Sequence, residues 1–518
     1  MTNNNGRVIL LSILNVVRSL VLISTAYVSK IFVDCYDFDT NTLSEDWWIY
    51  CIAFVGLVLF GIALHYIYLM FRTRFSTEVE INLRQEVFSK ILKKNVDTLK
   101  DYHSGEITNI YLADVNHVRN GICFLIPDVV LHSSKFLFSL VFIIIIEPML
   151  LLVLLGFGLL CVIGAVIYSR IVKKLQKQAI ESDGKVNAFM QESYQNLKYI
   201  QAMDAVDNVT KKSRSLADIN HSIKNKRNDL LVFGSTGLYI LVRVSYLITI
   251  VYSVLFAAIS AGDIVSLTQV VGYFEGPLSM ASSLLNQYQE YKVSKERIDE
   301  LLKLEDDVEQ LDINEFDEII FDDVSFAYVK GEPILENLSF SINKNETILI
   351  KGPSGKGKTT IFKLLLGFIK PDSGRILVKK DGVEYDIANC RNLFAYVPQE
   401  NILFSGNVKE NFELFINSMP EEEIMEALKF TNMDEEISDI NSRLNERGEG
   451  LSIGQIQRVL LAIALKKNRP CILLDEFTSS LDMKLEKEIV ERVNSLSTAK
   501  IIISHRDIVL ENARIINL

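Results

Sequence analysis

Residues 47–71 and 148–169 each run for more than twenty positions without a formal charge. Nothing else constrains the fold of this chain as strongly. A hydrocarbon layer about 30 Å thick is crossed by roughly 20 mostly apolar residues in a helix. Inside such a layer each backbone N–H and C=O must find a partner within the segment, which favours helix over irregular chain. Four further stretches, 8–33, 123–146, 230–260 and 264–285, are apolar but carry charges. Together the six predict an all-α membrane domain with six spans. The first stretch has too long an apolar run for a signal peptide, and more spans follow it.

At 518 residues the chain is too long for one ordinary domain. Apolar residues make up 49% of it, and they cluster before about residue 290. The remainder reads as a soluble α/β domain. A net charge of −11 argues against nucleic acid as a partner, because phosphate backbones attract basic surfaces. The six cysteines (Cys35, Cys51, Cys123, Cys161, Cys390 and Cys471) form no CxxC pair, which argues against a metal site or a disulfide framework.

Lysine and arginine set the expected orientation. The connections 34–46, Glu147 and 261–263 contain neither residue. The connections 72–122 and 170–229 contain Arg72, Arg74, Arg84, Lys93 and Lys94, then Lys173, Lys174, Lys177, Lys211 and Lys212. By the positive-inside rule the long connections and the N-terminus face the cytoplasm. Trp47 and Trp48 stand where an outer aromatic belt is expected. Segment 76–98 has apolar residues at helical spacing, so each long loop is predicted to be two antiparallel helices of about 25 residues, projecting on the order of 35 Å. Within the proposed spans lie Arg18, Lys30, Asp128, His132, Lys135, Arg243 and Glu275. Such groups are costly in lipid and face a cavity or a partner. One reading is a cation-bearing path for an anionic or zwitterionic cargo. The other has Lys30 and Lys135 snorkelling to an interface and Asp128 just outside the membrane.

Beyond Leu304 the pattern changes. Residues 305–317 are acidic and polar and read as a linker, and strands are expected at Ile319–Phe321, Val324–Tyr328 and Glu346–Lys351. The last strand leads into Gly352-Pro353-Ser354-Gly355-Lys356-Gly357-Lys358-Thr359, followed by a helical pattern from Thr360. Strand, glycine-rich loop and helix are the context a phosphate-binding loop needs. Glycines let backbone N–H groups curl around an anion, and the helix N-terminus adds partial positive charge. Gly352 through Thr360 are therefore the candidate nucleotide-binding residues. Lys358 would reach the β- and γ-phosphates, and the Thr359 hydroxyl would ligate Mg²⁺. Downstream, Cys471–Glu476 reads as a buried strand ending in two carboxylates. Asp475 is placed to hold Mg²⁺ through water, and Glu476 to accept a proton from the attacking water.

Leu451-Ser452-Ile453-Gly454-Gln455, followed by Ile456-Gln457-Arg458, resembles the signature of ATP-binding cassette (ABC) proteins. The rest of that family's pattern stands around it in order. Tyr328 matches the aromatic residue that stacks on adenine. Gln399, in Tyr396-Val397-Pro398-Gln399, matches the glutamine that touches Mg²⁺ and senses the membrane domain. Ser479-Ser480-Leu481-Asp482 matches the loop that crosses the dimer interface, and His505 the histidine at the γ-phosphate. Glu446-Arg447-Gly448 is similar to the exporter-type loop before the signature. The run from Ala261-Gly262-Asp263 through Pro277-Leu278 to Lys295-Glu296-Arg297-Ile298 resembles the last span and exit helix of exporters.

The resemblance implies a multidomain exporter half-transporter. A six-helix transmembrane domain (1–304) would be followed by a linker (305–317) and an α/β P-loop NTPase domain of ABC type (318–518). The implied cofactors are ATP and Mg²⁺. The implied catalytic residues are Glu476, His505 and Lys358, with Thr359, Gln399 and Asp475 at the metal and Ser452, Gly454 and Gln455 at the nucleotide of a partner. That partner would be a second copy of the chain or a homologous half-transporter. The setting would be a bacterial cytoplasmic membrane, with the ATPase domain in the cytoplasm. The cargo, whether peptide, lipid or small molecule, is not legible. A peptidase that trims a leader peptide is not expected. Other readings are an ATP-gated channel or regulator, which intact Glu476 and His505 disfavour, and a heterodimeric subunit. An importer is disfavoured by the fusion of membrane and ATPase parts, and a soluble cassette ATPase by the six spans. One position departs from the pattern. Ile453 stands where glycine is usual, and isoleucine lacks glycine's freedom at positive φ.

Overall fold

The structure is a computed structural model. It describes residues 5–37, 42–100, 102, 104–257, 259–329, 331–353, 355–437, 439–444, 450–506, 510 and 512–518. Contacts divide the chain into two compact units. One comprises Met1–Ile91 and Ser104–Leu302, the other Leu92–His103 and Lys303–Leu518.

The first unit is helical. Its main elements are α1 (Asn5–Asp34), α2 (Trp47–Ile91), α3 (Ile126–Ile146), α4 (Pro148–Gln195), α5 (Val206–Leu255) and α6 (Ala261–Lys303). Each of the six apolar stretches falls mainly within one of these helices, α3 being entered through a helical turn at Gly121–Leu125 and α5 ending before residue 260. Among the described residues, four helical segments are long and apolar enough to cross a membrane: Asn5–Asp34, Trp47–Ile91, Gly105–Ile146 and Val206–Leu255. Among the described residues α4 opens on the apolar run Pro148–Leu159, the first part of the uncharged stretch 148–169. The break between α3 and α4 has a local cause. Glu147 is extended, at φ −151°, because the proline that follows disfavours helix at that position, and Pro148 then starts α4.

α2, α4 and α5 run on from apolar into polar sequence without interruption, over 45, 48 and 50 residues. At 1.5 Å per residue the longest is about 75 Å long. Serines let α1 and α3 approach closely: Ser19 Oγ lies 2.8 Å from Ser134 Oγ. Around Ala26 a core forms from Phe142, Ile143, Leu150, Leu154, Leu267 and Val271.

The first long loop differs from the expected helix pair. α2 stops at Ile91, and the next segment, Leu92–His103, belongs to the second unit. The backbone there is already engaged. Lys93 O accepts from Asp307 N at 2.7 Å, and Asn95 N donates to Glu305 O at 3.0 Å. Groups used in this way cannot extend a helix ladder. Lys94 reinforces the contact, its side chain only 5% exposed, by donating to Leu304 O and to Asp306, both at 2.6 Å. Beyond Ser104 the chain returns to helix, with π-helical turns at Ile110–Asp114 and Gly121–Leu125.

Most of the ionisable groups of the spans have partners. Lys30 pairs with Asp263 at 2.5 Å, and Asp128 with Arg72 at 2.9 Å. Arg18 meets Asn15 Oδ1 at 2.7 Å and His65 Nδ1 at 2.6 Å. Lys135 lies 5.7 Å from the centre of the Tyr273 ring, and Arg243 donates to Tyr239 Oη at 3.1 Å. His132 Nδ1 is buried without a hydrogen-bond partner. The side chain of Glu275 lies outside the described residues.

The second unit is α/β. Its antiparallel sheet contains β1 (Glu318–Phe326), β2 (Leu335–Asn343), β4 (Ser373–Lys380) and β5 (Val383–Asp386), in the order β2-β1-β4-β5. Its parallel sheet contains β3 (Thr347–Lys351), β6 (Phe394–Val397), β7 (Cys471–Asp475), β8 (Ala499–Ile503) and β9 (Arg514–Asn517), in the order β9-β3-β8-β7-β6. The helices are α7 (Lys358–Leu365), α8 (Val408–Ile416), α9 (Glu421–Phe430), α10 (Ile453–Lys466) and α11 (Met483–Asn494).

The central strands are mainly apolar because both faces of the parallel sheet are covered, with Lys500 a buried exception in β8. Successive residues alternate between two cores. Leu349, Ile472, Leu474 and Ile502 face the core shared with α10, whereas Ile348, Ile350, Leu473, Ile501 and Ile503 face the core shared with α7. Residues 305–317 form no helix or extended ladder but are held down. Arg391 grips Asp307 with two bonds (2.5 and 3.1 Å) and also donates to Leu366 O at the C-terminus of α7. Leu473→Ala leaves a cavity in a strand covered on both faces, so it is expected to cost the second unit about 2–5 kcal/mol. Scanning calorimetry of the full chain in detergent would register this as a lowered melting midpoint.

Candidate active site

The loop between β3 and α7 is shaped by two glycines in left-handed backbone, Gly355 at φ +81° and Gly357 at φ +88°. Such angles are open to glycine and costly for residues with a Cβ. A Cβ at Gly357 would also come within 2.7 Å of Ile334 Cγ2. Gly352 is packed against the backbone of Leu518. Lys358 starts α7. Its side chain folds back to donate to Gly352 O at 2.8 Å and Pro353 O at 3.0 Å, so the ammonium is held over the loop. Thr360 is buried beside it, while Lys356 and Thr359 are exposed. Ser354 lies outside the described residues.

Thr359 donates its hydroxyl to Asp475, the last residue of β7. Burial raises the Asp475 carboxyl to about 6; the Thr359 bond opposes the shift and the neighbouring Glu476 adds to it. Asp475 Oδ2 is buried with no hydrogen-bond partner. An orphaned carboxylate oxygen beside a hydroxyl is a donor set that suits a divalent cation with a preference for oxygen ligands.

Glu476 leaves the strand at φ +50°. For a residue with a Cβ this backbone costs on the order of 1–3 kcal/mol. Its N–H donates to Ile503 O at 3.0 Å. Its carboxylate then takes two bonds from neighbouring loops: Gln399 Nε2 donates at 3.0 Å, and His505 Nε2 lies 2.9 Å away. These three residues follow β6, β7 and β8, so adjacent parallel strands bring them to one edge. A carboxylate bridged in this way is oriented to accept a proton from a water placed before it.

Tyr328 sits beyond the end of β1, half exposed, with its ring edge-on to Phe326 and Lys363 Nζ 5.5 Å from its centre. The strand predicted to reach Tyr328 ends at Phe326. An aromatic face in the open beside the phosphate-loop helix is available for stacking.

Ser452, Gly454 and Gln455 stand at the N-terminus of α10. Ser452 and Gln455 form a reciprocal capping box. Gln455 also donates to Glu436, which accepts from Arg458 at 2.8 Å. A Cβ on Gly454 would meet Ser480 O at 2.9 Å. The bonds described here run within the helix start and to Glu436, and Gly454 packs against the loop before α11. Asp482 caps α11 by accepting from Lys484 N and Leu485 N.

Ile453 does not have the left-handed backbone at which glycine would be favoured. It opens α10 with no positive φ, and its side chain is 66% exposed. The conformation at this position therefore does not require glycine. Glu446, Arg447 and Gly448 lie outside the described residues.

Two residues to which the sequence reading assigned no role emerge here. Gln457 is buried and donates to Glu476 O at 3.4 Å and Ser479 Oγ at 3.3 Å. Arg506 donates to Ser479 O and Leu481 O. Their only signal in the sequence was adjacency to the signature and to His505.

Gly357→Ala would place a Cβ in a forbidden region of φ and against Ile334. A fluorescent ATP analogue titrated into the purified protein is expected to bind at least about tenfold more weakly to this variant than to wild type.

Comparison with known proteins agrees with the geometry. A family model described as the ABC transporter transmembrane region matches residues 8–278, and one described as ABC transporter matches residues 335–479. A putative export ATP-binding/permease protein of Rickettsia bellii is 30% identical over 466 residues, covering 84% of this chain and 78% of the relative. The uncharacterised ABC transporter ATP-binding protein YfiB of Bacillus subtilis is 29% identical over 498 residues, covering 90% and 84%. The solved structure of a bacterial Atm1-family ABC exporter with ATP bound superposes with a TM-score of 0.81 at 21% identity, covering 97% of this chain and 91% of that one, a likeness of fold. The protein is a multi-pass membrane protein and an ATPase-coupled transporter, and it belongs to the ABC transporter family with membrane and ATP-binding regions in one chain.

Proposed function

We propose that this chain is one half of an ATP-driven exporter, acting as a dimer with a second copy of itself. The observation that carries the reading is the Glu476 carboxylate, held between Gln399 and His505 at the edge of the sheet that also bears the phosphate loop. ATP would lie with its adenine on Tyr328 and its phosphates against Gly352–Thr360. Lys358 would neutralise charge on the β- and γ-phosphates. Thr359, Asp475 and Gln399 are the groups that would hold Mg²⁺, which when bound neutralises charge developing on the phosphate oxygens. Glu476 accepts the proton of the attacking water, and His505 orients Glu476 and meets the γ-phosphate.

The need for two chains follows from the signature. Ser452, Gly454 and Gln455 are committed to their own helix start and to Glu436, and the bonds formed there do not reach the phosphate loop of the same chain. The Ser452 hydroxyl proton and the Gly454 backbone N–H take no part in those bonds, and they are the groups a partner's nucleotide would meet. ATP would then favour the paired arrangement because it binds that state better than the separated one. Retention of both Glu476 and His505 supports a working pump over a gate, which can dispense with hydrolysis. We place the protein in a bacterial cytoplasmic membrane, N-terminus and ATPase unit inside. The cargo is a peptide, lipid or small molecule leaving the cytoplasm.

Glu476→Gln removes the proton acceptor but keeps size and hydrogen bonding. ATP turnover by the full chain in lipid nanodiscs is expected to fall about 10²-fold or more, with nucleotide binding retained. Wild-type turnover in this variant would remove Glu476 from its role. Chelation with EDTA is expected to abolish hydrolysis, and added Mg²⁺ to restore it.

A further inference from the structure

Arg506 follows His505 directly, and its guanidinium reaches back across the site. One nitrogen donates to Leu481 O at 2.9 Å and to the Glu486 carboxylate at 2.9 Å. The other donates to Ser479 O at 2.7 Å. Glu486 in turn accepts from the Thr478 hydroxyl at 2.7 Å. The Arg506 backbone is tied in as well, since its N–H donates to Ser504 Oγ at 3.0 Å. A single side chain thus connects the loop carrying His505 to the turn that starts at Glu476 and ends at α11.

That turn is the one whose first residue carries the left-handed backbone. Inside it, Ser479 N donates to Glu476 O at 3.0 Å, and Leu481 N donates to Thr478 O at 3.0 Å. These local bonds close the turn but do not set its position relative to His505. The Arg506 bonds do, because they run between the two loops. We infer that Arg506 is a positioning residue for hydrolysis: by gripping the Ser479 and Leu481 carbonyls it holds the Glu476 turn and the His505 loop in register, so that the His505–Glu476 pair is kept together.

Arginine is suited to this work. Its planar fork addresses three acceptors at once, and it carries a permanent charge against Glu486. An ammonium also has three donors, but they radiate from a single nitrogen and do not span acceptors set out along a planar fork. The side chain touches neither the phosphate loop nor Tyr328 in any bond described for it, so its removal should leave nucleotide capture alone. The inference rests on the proposed roles of Glu476 and His505.

The test is steady-state ATP hydrolysis by the full chain in lipid nanodiscs, with binding of a trinitrophenyl-ATP probe and thermal melting measured on the same samples. Arg506→Ala is expected to lower kcat about tenfold, since misplacement of a reacting group by about 1 Å can cost up to 10²-fold. Probe affinity should stay within about twofold of wild type and melting should be unchanged. Arg506→Lys should recover only part of the rate. In a His505→Ala background, Arg506→Ala should cost nothing more, because both act on one pair. Wild-type kcat in Arg506→Ala would overturn the inference. So would a fall in probe binding or melting matching the fall in rate, since that marks a general structural role, and so would additive losses in the double variant. If Glu476→Gln also turns over normally, the underlying assignment fails instead.

Discussion

The conformation of Glu476 is the constraint around which the site is organised. β7 is sandwiched between β6 and β8 and buried on both faces, so its direction is set by packing. Asp475, the last residue of the strand, stays buried. The next residue must bring its carboxylate to the open edge, and it does so with φ +50°. A backbone of that kind persists only where the surroundings hold it. Here it is held from both sides, by Ile503 O on the neighbouring strand, by Gln457 from α10, and by Gln399 and His505 at the carboxylate. The carboxyl ends of β3, β8, β7 and β6 thus deliver the phosphate loop, His505, Glu476 and Gln399 to a common edge, where open parallel sheets place their ligands.

Much of this was legible in the sequence because the chemistry dictates residue type. A loop that must curl backbone N–H groups around phosphate needs glycine at left-handed positions, and Gly355 and Gly357 have those angles. A strand covered on both faces must be apolar throughout, and Cys471–Leu474 is. The membrane spans were legible for a comparable reason, since lipid leaves few alternatives to helix. The charged stretches were harder to read, and α6 is not one of the four long apolar segments found among the described residues.

Other features depend on partners far along the chain. The end of α2 at Ile91 has no breaker residue to announce it. It follows from pairing between residues 93–95 and 305–307, more than 200 positions later. At Ile453 the motif suggested a backbone demand that the helix start does not make. Arg506 carried no signal beyond its neighbour, because an arginine that binds carbonyls leaves no pattern in the residues it binds.

The course of the chain has a further consequence. It passes from the helical unit into the ATPase unit after Ile91, returns at Ser104, and crosses again after Leu302. The ATPase unit is therefore assembled from two pieces of chain, and the shorter, Leu92–His103, is pinned to the longer by Lys94 and by the backbone of residues 305 and 307. Cutting the chain at Lys303 would strand that piece, so the unit cannot be excised as one continuous stretch.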